Sequence, residues 1–232
     1  MKNIRPVDIA RRLHISTSSL RSYEARGIVP PPARSSTGYR IYTEEHIAYF
    51  ECIVAMSPGF GMDITSAVLK RLQQKELNDA LWIINQAEVS NYESKKSVEK
   101  VQAYIEKMAS EISEEPTYMT VGEVSVEAQV STSTLRYWEK EGIIVSKRHE
   151  NNQYRLFDQF QLIKILLMKS IQPLIYSSET VRLKQAIKTL DKHNFQQAKK
   201  IISDIQAYLN TCNQQRLHGL FYLYQLCKVL DL

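Results

Sequence analysis

The stretch Ser131–Ile143, STSTLRYWEKEGI, restates Ser16–Ile28, STSSLRSYEARGI, with eight of thirteen positions identical. An offset of 115 residues carries the likeness outward without a gap, pairing Gly27 with Gly142, Tyr39 with Tyr154, Arg40 with Arg155 and Pro58 with Pro173. Shared helix propensity does not keep register across a loop, so the chain of 232 residues is expected to hold two copies of one structural unit.

Each copy opens with a short helix, PVDIARRL or VGEVSVEA, whose apolar residues recur at helical spacing. A Ser/Thr cluster then supplies side-chain oxygens to cap the amides of a second helix, SLRSYEAR or TLRYWEKE, which stops at a glycine suited to positive φ. Two short helices across a tight turn predict a helix-turn-helix. Beyond it come extended residues, a turn at Thr37-Gly38 or Asn152-Gln153, and a Tyr-Arg-apolar-aromatic strand, which together predict a small β wing. More helix follows, broken at Pro58 or Pro173, and each copy closes with a long helical segment at about 76–113 or 194–230.

In the first long segment Ala80, Ile84, Ala87, Val98, Val101, Ile105, Met108 and Ile112 form a stripe with polar Asn91 and Ser94 at its centre. In the second, Phe195, Ala198, Ile202, Ile205, Leu209, Cys212, Leu220, Leu223 and Leu230 do the same around Arg216. Both read as coiled-coil seams. The predicted organisation is a winged helix-turn-helix at 1–75, a long helix at 76–113, a linker at 114–118, a second winged helix-turn-helix at 119–191, and a second long helix with an apolar tail at 192–232. The tail GLFYLYQLCKVLDL is apolar nearly all round, which predicts burial against the first copy. The fold class is mainly α, with the two long helices paired as an antiparallel coiled coil.

Apolar residues make up 44% of the chain, enough for a core, and no apolar run reaches the roughly 20 residues that span a bilayer. The opening MKNIRPVDIA lacks the apolar middle of a signal peptide, so the expected location is cytoplasmic, with no membrane partner. Cys52, Cys212 and Cys227 are too far apart for a metal loop and read as buried reduced thiols. No nucleophile–base pair, metal spacing or phosphate-binding glycine loop stands out, which argues against an enzyme and calls for no cofactor. The net charge of +5 points to a polyanionic partner and is unevenly spread. Residues 1–42 hold eight Lys/Arg against two Asp/Glu, whereas residues 119–157 hold five of each.

The order of elements, with a core of the form S-x-x-T-L-R-Y-Y-E-x-x-G-[LI] and a wing ending R-x-x-x-G-Y-R-x-Y, resembles the MerR family of bacterial transcription regulators. The residues that carry the resemblance are Ser16, Leu20, Arg21, Tyr23, Glu24, Gly27, Ile28, Arg34, Gly38, Tyr39, Arg40 and Tyr42 in the first copy. In the second they are Ser131, Thr134, Leu135, Arg136, Tyr137, Glu139, Gly142, Ile143, Tyr154 and Arg155. Ser22, Trp138 and Gln153 depart from the pattern, as do His14 and Gln129 at the turn.

The resemblance implies double-stranded DNA as partner and, by analogy, RNA polymerase at a promoter. Thr17, Ser18 and Ser19, and Thr132, Ser133 and Thr134, stand at the end of the recognition helix that meets bases, where short hydroxyl residues serve equally as caps. Arg21 and Arg136 one turn on, beside Tyr23, Tyr137 and Trp138, suit phosphate contacts. Tyr39-Arg40 and Tyr154-Arg155 would lie along the sugar–phosphate backbone, although the tyrosines could also pack under the wing, and Arg34, Lys147 and Arg148 add charge.

Family members pair as homodimers through antiparallel long helices. Here residues 76–115 carry nine acids and four bases, and residues 192–232 carry two acids and five bases, so unlike helices attract. The expectation is a monomeric pseudo-dimer, favoured over a swapped or higher oligomer, that reads an imperfect inverted repeat as a transcription regulator. An architectural or chromosome-organising DNA binder with the same head is the alternative.

Overall fold

The computed structural model describes residues 4–110, 117–192 and 194–232. It is about 70% helical, with nine helices among those residues, and divides into two compact units, residues 1–89 with 210–232 and residues 90–209. The expected linker lies largely outside the described residues, as do Ile112 and the side chain of Met108.

In the first unit α1 (Pro6–Arg12) and α2 (Thr17–Ala25) meet across a turn in which His14 takes a φ of 53°. The Ile15 amide donates to the Ala10 carbonyl at 3.0 Å, and Ser16 Oγ accepts from the Ser19 amide at 3.0 Å, so the start of α2 is satisfied from its own sequence. The chain leaves α2 through Gly27, at φ 65°, where a residue without Cβ turns left-handed at little cost. A ribbon follows, β1 (Ala33–Arg34) antiparallel to β2 (Arg40–Ile41), and an isolated bridge joins Ile4 to Tyr42.

Helix α3 (Glu44–Gln73) differs from the expected break at Pro58. It runs through Pro58 and departs from helical dihedrals at Gly61, with φ 78° and ψ 161°. Proline removes one amide donor yet keeps a helical φ, whereas this extended positive-φ region is open to glycine alone. By length and composition α3 is apolar enough to cross a membrane, but 61% of its apolar window is buried in the protein, and Phe50, Ile53, Met56 and Leu69 sit in the first unit's core.

The second unit repeats these devices 115 residues on. Strand β3 (Tyr118–Thr120) leads into α5 (Val121–Ala128) and α6 (Thr132–Lys140), with Gln129 at φ 51° in the turn and Gly142 at φ 68° after α6. The Val130 amide donates to Ser125 O at 3.1 Å, and Ser131 Oγ accepts from the Thr134 amide at 3.2 Å. Strands β4 (Lys147–Arg148) and β5 (Arg155–Asp158) complete a sheet ordered β3-β5-β4. The sequence did not signal β3, which is too short to show alternation; its Met119–Phe157 pair matches the Ile4–Tyr42 bridge at the same offset. Helices α7 (Gln159–Ile171) and α8 (Ser178–Lys188) flank Pro173.

The gap-free offset needs one correction. Arg34 stands opposite Arg40 and Arg148 opposite Arg155, so the first strand of the ribbon is displaced by 114 residues rather than 115. The approach through Pro30-Pro31-Pro32 is one residue longer than its counterpart, and the loop to Tyr39 is one shorter.

The long helices α4 (Leu77–Ser110) and α9 (Phe195–Val229) contribute to both cores. In the first unit Ala80, Ile84 and Ala87 share a core with Leu223, Leu226 and Cys227. In the second, Val98, Val101 and Ile105 share one with Ala198, Ile202, Ile205 and Leu209. A Cβ on Gly59 would fall 2.7 Å from the Arg216 amide nitrogen, and one on Gly219 would fall 2.9 Å from Met56 Cα, so α9 lies backbone to backbone on α3. Arg216, which interrupts the apolar stripe, is buried there over the Phe60 ring and donates to Gly59 O and Ala87 O, both at 2.9 Å. Those bonds offset the cost of removing its charge from water.

The tail is not buried all round. One face enters the core, while Phe221 and Tyr224 are exposed, as is Trp82 on α4, because a single helix offers only one stripe to its unit. Cys52, Cys212 and Cys227 are all buried, and burial pushes the Cys52 and Cys227 thiols up.

Candidate nucleic-acid interface

Helices α2 and α6 carry the residues that the sequence singles out. Ser16 and Ser131 are the caps, and each gathers two neighbouring hydroxyls. Ser16 Oγ is 2.6 Å from Ser18 Oγ and 2.9 Å from Ser19 Oγ, and Ser131 Oγ is 2.8 Å from both Ser133 Oγ and Thr134 Oγ1. Ser18, Ser19, Ser133 and Thr134 are therefore part of a capping cluster, with Ser18 and Ser133 also exposed. Thr17 is half-buried and Thr132 exposed at the same end.

Arg21 and Arg136 are exposed one turn later and make no hydrogen bond or ion pair among the described residues. Their neighbours diverge. Tyr137 is 53% exposed where Ser22 stands in the first unit, whereas Trp138 is 3% exposed and belongs to the second unit's core. Trp138 is thus corrected from an expected DNA contact to a packing residue, since its position on α6 faces inward as half-buried Tyr23 does on α2.

The ribbons are fastened to these helices by matching ion pairs. Arg40 Nε meets Glu24 Oε2 at 2.6 Å, and Arg155 Nε meets Glu139 Oε2 at 2.7 Å. Both arginines are engaged by carboxylates and tie each ribbon to its helix, a role the sequence did not reveal because each pair spans a loop. Burial opposes the Glu139 charge, but the Ser146 hydroxyl and Arg155 guanidinium together hold its carboxyl below the usual range. Arg34 donates to Gly38 O at 3.2 Å and Arg148 to Gln153 O at 3.1 Å, so each also closes its own loop. That posture leaves Tyr39 76% and Tyr154 65% exposed at the tips, which rules out packing under the ribbon. Lys147 lies 5.6 Å from the centroid of the Tyr118 ring. A further pair of matching bonds ends the helices: Gln73 donates to Gly27 O at 3.1 Å and Lys188 to Glu141 O at 2.8 Å.

Residues 5–42 match the model of the MerR family regulatory protein, and residues 119–185 match that of the MerR HTH family regulatory protein. Each half of the chain thus contains a segment similar to a MerR family model. The chain is 42% identical to the HTH-type transcriptional regulator CueR of Salmonella typhi over 40 residues, which is 17% of this chain and 29% of that protein. It is 37% identical to CueR of Vibrio cholerae serotype O1 over 62 residues, 26% of this chain and 45% of the relative. With the HTH-type transcriptional regulator YfmP of Bacillus subtilis it shares 25% over 96 residues, 40% of this chain and 66% of the relative. The chain thus spans less than half the length of either CueR protein. No solved structure gives a significant match.

The two matched segments are unequal in charge, and the structure shows where. Arg11 and Arg26 are exposed and unpaired among the described residues; at the same offset the second segment has exposed Val126 and Glu141. Sequence reading passed over both arginines because they fall outside the motif, although the offset itself exposes the contrast.

Proposed function

We propose that the chain is a tandem MerR-type transcription regulator, binding double-stranded DNA through two winged helix-turn-helix heads, one per half-site of an imperfect inverted repeat. The observation that carries the reading is the repeated presentation itself. In both heads a capped helix offers a free arginine, Arg21 or Arg136, and a ribbon clamped by Arg40–Glu24 or Arg155–Glu139 offers an exposed tyrosine at its tip. Cations and hydroxyls placed this way suit phosphates and base edges of a major groove.

The long helices support a pseudo-dimer. The beginning of α4 shares a core with the end of α9, and the later part of α4 shares one with the beginning of α9, the pattern of antiparallel pairing. One chain therefore supplies both partners of a family dimer, and a monomer suffices. Because Ser22 is replaced by Tyr137 at the 115-residue offset, and Arg11 and Arg26 by Val126 and Glu141, the half-sites should differ. RNA polymerase at the promoter is the second proposed partner, by analogy with the family.

Footprinting on genomic fragments recovered with the protein tests the reading. One compact protected site containing an imperfect inverted repeat is the expected result; protection that spreads with concentration supports the architectural alternative instead.

A further inference from the structure

The second unit contains a cavity of about 590 Å³, within the range of small-molecule sites, beside the helix proposed to read DNA. Its apolar lining includes Trp138, Met168 and Val181, and Tyr137 and Tyr176 stand exposed among the lining residues. Lys184 is the one charged residue of the lining, with no carboxylate opposite it. The other cations of α8 are engaged, Arg182 with Glu179 at 2.6 Å and Lys188 with the Glu141 carbonyl at 2.8 Å. Half-buried Lys184 makes no hydrogen bond or ion pair among the described residues.

Comparison with the first unit shows that these features are not demanded by the fold. At the 115-residue offset Lys184 corresponds to Leu69, which is fully buried, Tyr137 to Ser22 and Tyr176 to Gly61. The first unit builds the same helices without the cation and without either aromatic. A lysine left unpaired against an apolar wall is matched by a ligand with a flat apolar body and one negative group.

We propose that this cavity binds an aromatic monoanion, a carboxylate or sulfonate, and that its occupant lowers the affinity of α6 for DNA. Ser133, Thr134 and Tyr137 line the cavity and also belong to the proposed reading surface, so a ligand seated there competes for the same side chains. The competition rests on the DNA-binding proposal; the ligand site does not.

Anilinonaphthalenesulfonate is the probe, used on full-length Trp82→Phe protein so that Trp138 is the only tryptophan donor for energy transfer, first without DNA. The expected result is saturable binding with quenching of Trp138. Lys184→Glu should weaken it by about tenfold or more, and the uncharged analogue N-phenylnaphthylamine should bind weaker than the sulfonate by a similar factor. Val181→Phe, which fills the cavity from an exposed position without adding a tryptophan, should abolish binding while near-ultraviolet circular dichroism shows an intact fold. Equal binding by either variant, or equal binding of the neutral analogue, overturns the site. Saturable binding that leaves the affinity for a footprinted DNA site unchanged overturns the competition while leaving the site standing.

Discussion

At the scale of the residue, the two units share local geometry but not charge. Arg11, Arg21, Arg26 and Arg34 are exposed in the first, where the second offers Val126, Arg136, Glu141 and Arg148. Reversing Arg21 to Glu should therefore reduce DNA affinity more than reversing Arg136, and removing one arginine–phosphate pair should reduce the slope of log affinity against log salt by about 1. Equal reductions, measured by fluorescence anisotropy across a salt series, would show that the charge contrast does not govern binding. Glu139 makes a second prediction. Its folded-state pKa is lowered, so its contribution to stability is present above the ordinary carboxylate pKa of about 4.3 and fades as pH falls through the lowered value. Glu139→Gln should flatten the acid limb of the melting-temperature profile, and Arg155→Ala should cost about 1 kcal/mol near neutral pH by leaving a half-buried carboxylate unpaired. The motif arginines were legible in the sequence. Their assignment to Glu24 and Glu139 was not, because a salt bridge across sixteen residues leaves no periodic trace.

At the scale of the element, local turn chemistry was the most readable part of the chain. Ser16 and Ser131 cap as the Ser/Thr clusters predicted, and Gly27 and Gly142 turn left-handed as their positions after α2 and α6 required. Strand β3 and the break at Gly61 escaped notice, the first for lack of length and the second because proline is the louder signal. The seat of α9 on α3 depends on two small residues and one buried cation. Gly59→Ala and Gly219→Ala should each destabilise by about 1–3 kcal/mol, since the added methyl meets backbone atoms that cannot rotate away. Gly122→Ala, whose Cβ would meet only Thr120 Oγ1 at 3.9 Å, should be neutral or slightly stabilising. Arg216→Met keeps most of the volume but removes the donor to the Gly59 and Ala87 carbonyls and the cation beside Glu88, a loss of about 1–3 kcal/mol by chemical denaturation. A Gly59→Ala protein as stable as the parent would mean that the close approach is not tight in solution.

At the scale of the whole molecule, the two units share local devices placed at one sequence offset. Three positive-φ positions, one helix cap and one ribbon clamp recur 115 residues apart, a helix-end bond recurs with its acceptor displaced by one residue, and each long helix supplies side chains to both cores. The repeat and the stripes on α4 and α9 were legible from identity and periodicity. The exposure of Phe221 and Tyr224 was not, because hydropathy records how apolar a tail is and not how many of its faces find a partner. The central claim is that one chain provides both readers of an inverted repeat. Light scattering coupled to size exclusion, run on the protein alone and on its complex with a single footprinted duplex, tests it most directly. The account predicts a free particle of 26.9 kDa and a complex of one chain per duplex; two chains on one duplex, or a stable free dimer at low micromolar concentration, would contradict it.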